Sequence, residues 1–191
     1  MFLLHKPSGQ EIESFIIAQR DAKFSYAPLG ITKTPPTSGY NIDHTRVQIG
    51  VGEEAFNTAV VALRKWKMFD SQWLILCWDN IPIEVGSVVA IVVSHLGCWS
   101  MNACRIVYVV EEDNEFERYG FAYGTLQEHA ERGEERFIVE WNKRDDSVWY
   151  DIFAVSKPGP LAKLGYFYAR GLQKRFAEDS KNAMKKAVIE I

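Results

Sequence analysis

Six strand-like segments lie between residues 73 and 155, and only short breaks separate them. They are Trp73 to Trp78, Ser87 to Ser94, Ala103 to Val110, Tyr119 to Leu126, Glu135 to Trp141 and Val148 to Val155. The breaks are polar or contain glycine: Asp79 to Pro82, His95 to Gly97, Glu111 to Asn114 and Lys143 to Asp146. Parallel neighbours would need long crossovers, so these breaks predict an antiparallel meander. Lys157 to Pro160 closes it. From Leu161 the pattern turns helical, with Leu164, Tyr168, Leu172, Phe176, Ala183 and Ala187 as the apolar stripe. Gly165 and Gly171 weaken the first turns of that helix.

The preceding chain supplies less. Gln10 to Arg20 fits a short helix with Ile12, Phe15, Ile16 and Gln19 along one side. Ala27 to Tyr40 is rich in Pro, Gly, Thr and Ser and reads as loop. Thr45, Val47 and Ile49 alternate with His44, Arg46 and Gln48, as in a half-buried strand. A helix then follows from Glu53, with Phe56, Ala59, Val60, Leu63 and Trp66 at helical spacing. Glu53 and Glu54 occupy its first turn, where the helix dipole favours them. The order predicts an α+β fold: a curved antiparallel sheet of about six to seven strands around a long C-terminal helix. Residues 1–191 are expected to form one domain. Residues 1–40 would be an N-terminal helix and loop extension, 41–158 the sheet with its inserted helix, and 160–188 the C-terminal helix.

Within the meander, Gly120 to Leu126 has two unlike faces, neither charged. Phe121, Tyr123 and Thr125 share one, and Gly120, Ala122, Gly124 and Leu126 share the other. Three near-empty positions on one face leave room for a close helix, another backbone or a cavity.

Composition narrows the function classes. Hydrophobic residues make up 47% and aromatics 13%, enough for a proper core. The formal charge of −3 argues against a phosphate-backbone partner. The basic cluster of Arg170, Lys174, Arg175, Lys181, Lys185 and Lys186 is interrupted by Glu178 and Asp179. It reads as the solvated face of a helix. Three cysteines, Cys77, Cys98 and Cys104, show no metal-ligand spacing and fit reduced thiols in a cytoplasmic protein. The opening Met1 to Leu4 is too short for a signal-peptide core, and no apolar run can span a bilayer. Neither a metal nor a cofactor is expected, and no nucleic-acid partner; the oligomeric state is not encoded in any visible pattern.

Chemical motifs are weak. Gly50-Val-Gly-Glu-Glu-Ala55 fits a dinucleotide-binding pattern, but a meander follows it, and two glutamates sit where a pyrophosphate must approach. A tight strand-to-helix turn is the better reading. His129, Glu131, Glu134 and Glu135 form the densest polar cluster, with the spacing of a solvated hairpin loop around Gly133. A functional mouth and a metal site are the alternatives. Ser156 has no nucleophile elbow around it. Cys77 and Cys104 lie in apolar strands as core residues. His44 and Arg46 fall on a solvent face, which a curved sheet can also turn towards a pocket, and Trp66, Trp73 and Trp78 on core positions.

Several segments together resemble the domain-of-unknown-function family numbered nineteen-ninety. They are Phe24 to Gly30, Ser38 to Tyr40, Arg46 to Gly52, Ala59 to Phe69, Cys104 to Val109, Gly120 to Leu126, Gly133 to Phe137, Ser156 to Pro158 and Gln173 to Phe176. Asn41 to His44 and the tail beyond Asn182 match nothing in it. The resemblance implies the START-like, helix-grip superfamily, whose members mostly bind lipids, hormones or polyketide-like molecules, some being cyclases or hydrolases. It transfers no catalytic residue.

Three readings follow. The first is a non-enzymatic protein binding a small apolar or amphipathic molecule between sheet and C-terminal helix. Phe121, Tyr123, Thr125, Tyr150, Tyr168 and Leu172 would line that cavity, with His129 and Glu135 beside it. The second is a cofactor-independent hydrolase, isomerase or cyclase using His129 and Glu135 at the mouth. The third is a scaffold with a filled core and a partner protein.

Overall fold

Each alternating segment forms a strand and pairs with the next. In a computed structural model, residues 1–77, 81–95, 97–158 and 166–189 are described. Trp78 and the stripe residue Leu164 lie outside them. The chain runs through β1 (Phe2–Leu3), α1 (Gly9–Gln19), β2 (Asn41–Val51), α2 (Gly52–Arg64) and a 3-10 turn (Lys67–Phe69). It continues through β3 (Leu74–Cys77), β4 (Val88–His95), β5 (Cys98–Glu112), β6 (Phe116–Thr125), β7 (Glu131–Asn142), β8 (Ser147–Pro158) and α3 (Tyr166–Ile189). The strands lie in the order β2-β8-β7-β6-β5-β4-β3, all antiparallel. The meander therefore forms as expected, and β2 closes onto its far end. β1 adds two pairs beside the start of β5, an element too short to show a period.

Register fixes which side chains share a face. Opposed residues point the same way. Phe121↔Phe137↔Ile152↔Thr45 thus form one cross-sheet row, and Tyr123↔Glu135↔Ala154↔Asp43 the next. These rows lie on the concave face. Its large core joins Phe121, Tyr123, Phe137, Val139 and Tyr150 to Phe56, Leu63 and Trp66 near α2, Phe69 of the 3-10 turn and Met184 of α3. Register shifts in β2 and β5, between Gln48 and Gly50 and between Ile106 and Tyr108, bend the sheet.

The convex face is covered too. α1 is closed at its start by a reciprocal cap between Ser8 and Glu11. It packs Phe15 onto Ala90, Val92, Met101 and Ala103. Phe24 pairs with Leu126, and the loop after it lays Tyr26 and Ile31 against Val155. The small-residue face of β6 is the floor of this packing. A Cβ at Gly124 would sit 2.8 Å from Tyr26 Cε1 and collide with its hydroxyl. Close packing rather than a cavity fills that face: the Tyr26 ring of the N-terminal loop at Gly124, and the neighbouring backbone of β7 at Gly120.

The sequence patterns need three adjustments. The most buried residues of α3 are Ser180 and Met184, while Tyr168 is exposed and Leu172 and Phe176 are half-buried. Ser180 is hidden from a hydrophobicity pattern because it is polar; its hydroxyl meets Tyr150 OH at 2.9 Å. Glu131 to Glu135 form the start of β7 rather than a solvated hairpin loop, and Glu134 is buried. Trp66 lies beyond the end of α2, and its indole donates to Ile81 O at 2.9 Å. The Gly50–Ala55 motif is a strand-to-helix turn, with Gly52 at φ +86 where a side chain would be strained.

Candidate functional site

A cavity of about 1230 Å³ lies between the concave face and α3. Two regions of the sequence make it. Strands β4 to β8 spread their concave side chains apart as the sheet curls. α3 then crosses with Leu172, Gln173, Phe176 and Ala177 towards the gap. The interior is mostly apolar, built from Phe69, Trp73, Leu74, Ile91, Val93, Ile152 and Phe176.

One end is polar. Tyr123 OH donates to Glu135 Oε2 at 2.8 Å. Glu135 makes no other hydrogen bond and no ion pair among the described residues. Its carboxyl lies deep in the protein, and its accessible surface opens onto the cavity. Burial pushes its pKa up to about 7; the Tyr123 bond opposes that rise and nearby Asp43 adds to it. Asp43 is answered by Arg170 of α3, whose two terminal nitrogens reach its oxygens at 2.5 and 2.6 Å. Arg170 also holds Gln173 Oε1 at 2.6 Å, and Gln173 donates to Ser156 Oγ at 3.2 Å. Burial likewise raises the pKa of Glu131, against the pull of Arg170.

Six of the expected lining residues meet here: Tyr123, Thr125, His129, Glu135, Tyr168 and Leu172. Phe121 and Tyr150 do not. Both are fully buried in the core beneath the cavity floor. Alternation assigns a side chain to a face but not to a depth along the strand. Thr125 is turned to the backbone, accepting from Gly133 N at 2.9 Å and meeting Ser25 Oγ at 2.6 Å. His129 is held by its own turn, with Nδ1 accepting from Glu131 N at 2.9 Å. Burial lowers its pKa to about 4, so it is a neutral ring at pH 7. No hydrogen bond joins His129 to Glu135, so the pair is not assembled as an acid–base couple.

Sequence reading missed a second polar group across the cavity. His95 Nε2 lies 2.7 Å from Ser100 Oγ, which also accepts from Asn102 Nδ2 at 2.9 Å. Burial lowers the pKa of His95, and its ring packs against Phe2 and Tyr168. The signal was the alternation of Ser100 and Asn102 within an apolar strand, where a polar side chain needs a partner. Ser156 lines the cavity as a strand hydroxyl. Cys77 and Cys104 are buried, and burial raises both thiols, Cys77 to about 11. Among the described residues, no group of three or more His, Cys, Asp or Glu side chains is placed to hold a metal ion. No helix there is long and apolar enough to cross a membrane.

The comparisons with known proteins agree with this architecture. A crystal structure from Thermus thermophilus superposes with a TM-score of 0.52 at 11% identity, over 78% of this chain and 98% of that one. Ara h 8.0201 superposes with 0.51 at 13% identity, over 80% and 100%. At such identities the likeness shows the fold alone, a helix-grip arrangement of the START-like kind. In sequence, the chain is 37% identical to a Dictyostelium discoideum "UPF0548 protein", over 98% of this chain and 96% of that one. Residues 25–183 match the family described as "Domain of unknown function (DUF1990)". The chain belongs to that family.

Proposed function

We propose that this member of the DUF1990 family binds one small amphipathic molecule in the cavity between the sheet and α3. The observation that carries the reading is the cavity itself. At about 1230 Å³ it exceeds the usual ligand pocket, which runs to roughly 1,000 Å³. Phe69, Trp73, Ile91, Leu172 and Phe176 would take the apolar body. Tyr123, Thr125, His129 and Glu135 would face the head, and Tyr168 the opening. Three free cysteines, two of them buried, favour a reducing compartment such as the cytoplasm.

Native mass spectrometry of freshly purified protein tests the reading. A small-molecule adduct that disappears on denaturation is expected. Bare protein that also fails to brighten a fluorescent apolar probe would mean that the cavity is not a ligand site. A Leu172→Trp variant should reduce probe capacity by filling the space. Unchanged capacity would place the probe elsewhere.

A further inference from the structure

The interior of the cavity holds one carboxyl group whose partner is missing. Glu135 accepts a single hydrogen bond, from Tyr123, and no cation pairs with it among the described residues. The groups nearest to it are already engaged, are neutral, or repel an anion. From β2 comes Asp43, with Arg170 of α3 bound to it through both terminal nitrogens. From β6 comes Tyr123, whose pKa burial raises well above its usual value. Cys104 of β5 is buried and its thiol is likewise raised. The turn before β7 brings His129, uncharged at neutral pH, and β7 itself brings Glu131. Around the cavity stand the carboxylates Glu128 and Glu178, the cations Arg132 and Lys174, the Met1 ammonium, which donates to Met101 O and Glu128 O, and His95, which is held against Ser100; buried Tyr150 of β8 meets Ser180. Glu134 also borders it, but its oxygens are bonded on the other side of the sheet.

A buried carboxylate without a cation is costly, and such sites relax either by taking a proton or by gaining a counter-charge. An anionic head beside Glu135 would meet the Asp43 carboxylate as well, while the Arg170 guanidinium is already bound to Asp43 and Arg132 shares the convex face of Glu134 by register. A neutral head would leave Glu135 protonated. A cationic head would give it the missing ion pair, beside the aromatic rings of Tyr123 and Phe69. From this geometry we infer that the ligand is an amphipathic amine, with its ammonium group against Glu135 and its apolar body against Trp73, Ile91 and Phe176. This rests on the ligand-binding reading above and names its chemical class.

Titration calorimetry with octylamine, octanol and octanoate separates the two claims, because the three share a chain and differ in head. An alkylamine has a pKa of about 10.4, as for lysine, and stays protonated at pH 8. Octylamine should bind about tenfold or more tightly than octanol at pH 8, with octanoate weakest. Its affinity should rise between pH 6 and pH 8 as Glu135 ionises. At pH 7 amine binding should release protons to the buffer, and octanol binding should not. Glu135→Gln should collapse the amine-to-alcohol ratio and abolish the proton release. Octanol binding as tightly as octylamine to the wild-type protein, or a ratio unchanged in Glu135→Gln, overturns the amine assignment but leaves a cavity that binds. Failure of all three probes removes the binding reading and this inference with it. The pH series and proton count use wild-type protein, so they decide the matter even if the variant folds poorly.

Discussion

Glu134 and Glu135 are neighbours on one strand, and the sheet treats them as opposites. Glu134 points to the convex side. There it accepts from Tyr26 OH at 2.7 Å, from Gly30 N at 2.9 Å, from Thr32 N at 3.1 Å and from the Thr32 hydroxyl. Thr32 in turn meets Tyr108 OH at 2.6 Å. Burial, then the bond to Glu134, raises the Tyr26 hydroxyl, which stays protonated and keeps donating. Glu135 points to the concave side and has Tyr123 alone. Both carboxyls are deep in the protein. One is surrounded by donors that the fold supplies, and the other faces a space that the fold leaves open. Saturation marks a structural carboxylate, and its absence marks a group available for a ligand.

Substitutions at the two positions should therefore have opposite signs. The largest effect is expected from Glu134→Ala, which strands four donors, three of them buried. It should destabilise the protein by about 3–5 kcal/mol in chemical denaturation. A loss under about 1 kcal/mol would mean that water replaces the carboxylate easily, and the contrast would vanish.

Glu135→Gln should stabilise instead, and only at high pH. Its folded pKa, about 7, lies above the ordinary 4.5, so the folded state favours the protonated form. The resulting penalty is absent below pH 4.5, grows between pH 4.5 and about 7, and is complete above that. The variant should gain no more than about 3 kcal/mol at pH 8 and almost nothing at pH 4. A gain that is equal at both pH values would show that ionisation of Glu135 is not its cause.

Ala122→Leu tests the two faces of β6 further along the strand. Ala122 is fully buried on the packed convex side. Overpacking there should cost about 1–3 kcal/mol and leave apolar-probe binding unchanged. Unaltered stability with reduced probe binding would put the cavity on the wrong face.

The smallest effect should come from Tyr123→Phe, at about 0.5–1.5 kcal/mol. That change deletes the one bond that favours ionised Glu135, so the carboxyl should titrate above its present value of about 7. A carbon-13 NMR titration of the Glu135 carboxyl would read this directly. A downward move would mean that the phenol is not its donor.

Much of the fold was legible because alternation and break length are local properties. All six meander strands, β2 and the three main helices follow from them. The candidate site was legible only in part. Tyr123 was legible as an aromatic alternating with small residues in an apolar strand, and Glu135 as a member of the densest polar cluster. Phe121 and Tyr150 share their face but sit one or more rows deeper, where α2 and α3 close over them. The role of Glu134 was hidden because its donors lie about a hundred residues earlier, in a stretch whose composition shows only loop. Ser180 was hidden in the same way, being a polar residue made inconspicuous by a distant hydroxyl.

The clasp around Glu134 also orders events in time. Tyr26 and Glu134 are 108 residues apart, and that separation must be closed before any of its bonds can form. The meander from β4 to β8 needs only local pairings and can assemble first. β2 must likewise wait for β8, since Asn41 pairs with Ser156. The loop of Tyr26 to Thr32 precedes the sheet in the chain, yet loop closure predicts that it docks after the sheet. In refolding followed by pulsed hydrogen exchange, the amides of Gly30 and Thr32 should gain protection after those of β5 and β6. Until that moment the convex face of β6, with Ala122 and Leu126 on it, remains open to water and to other chains.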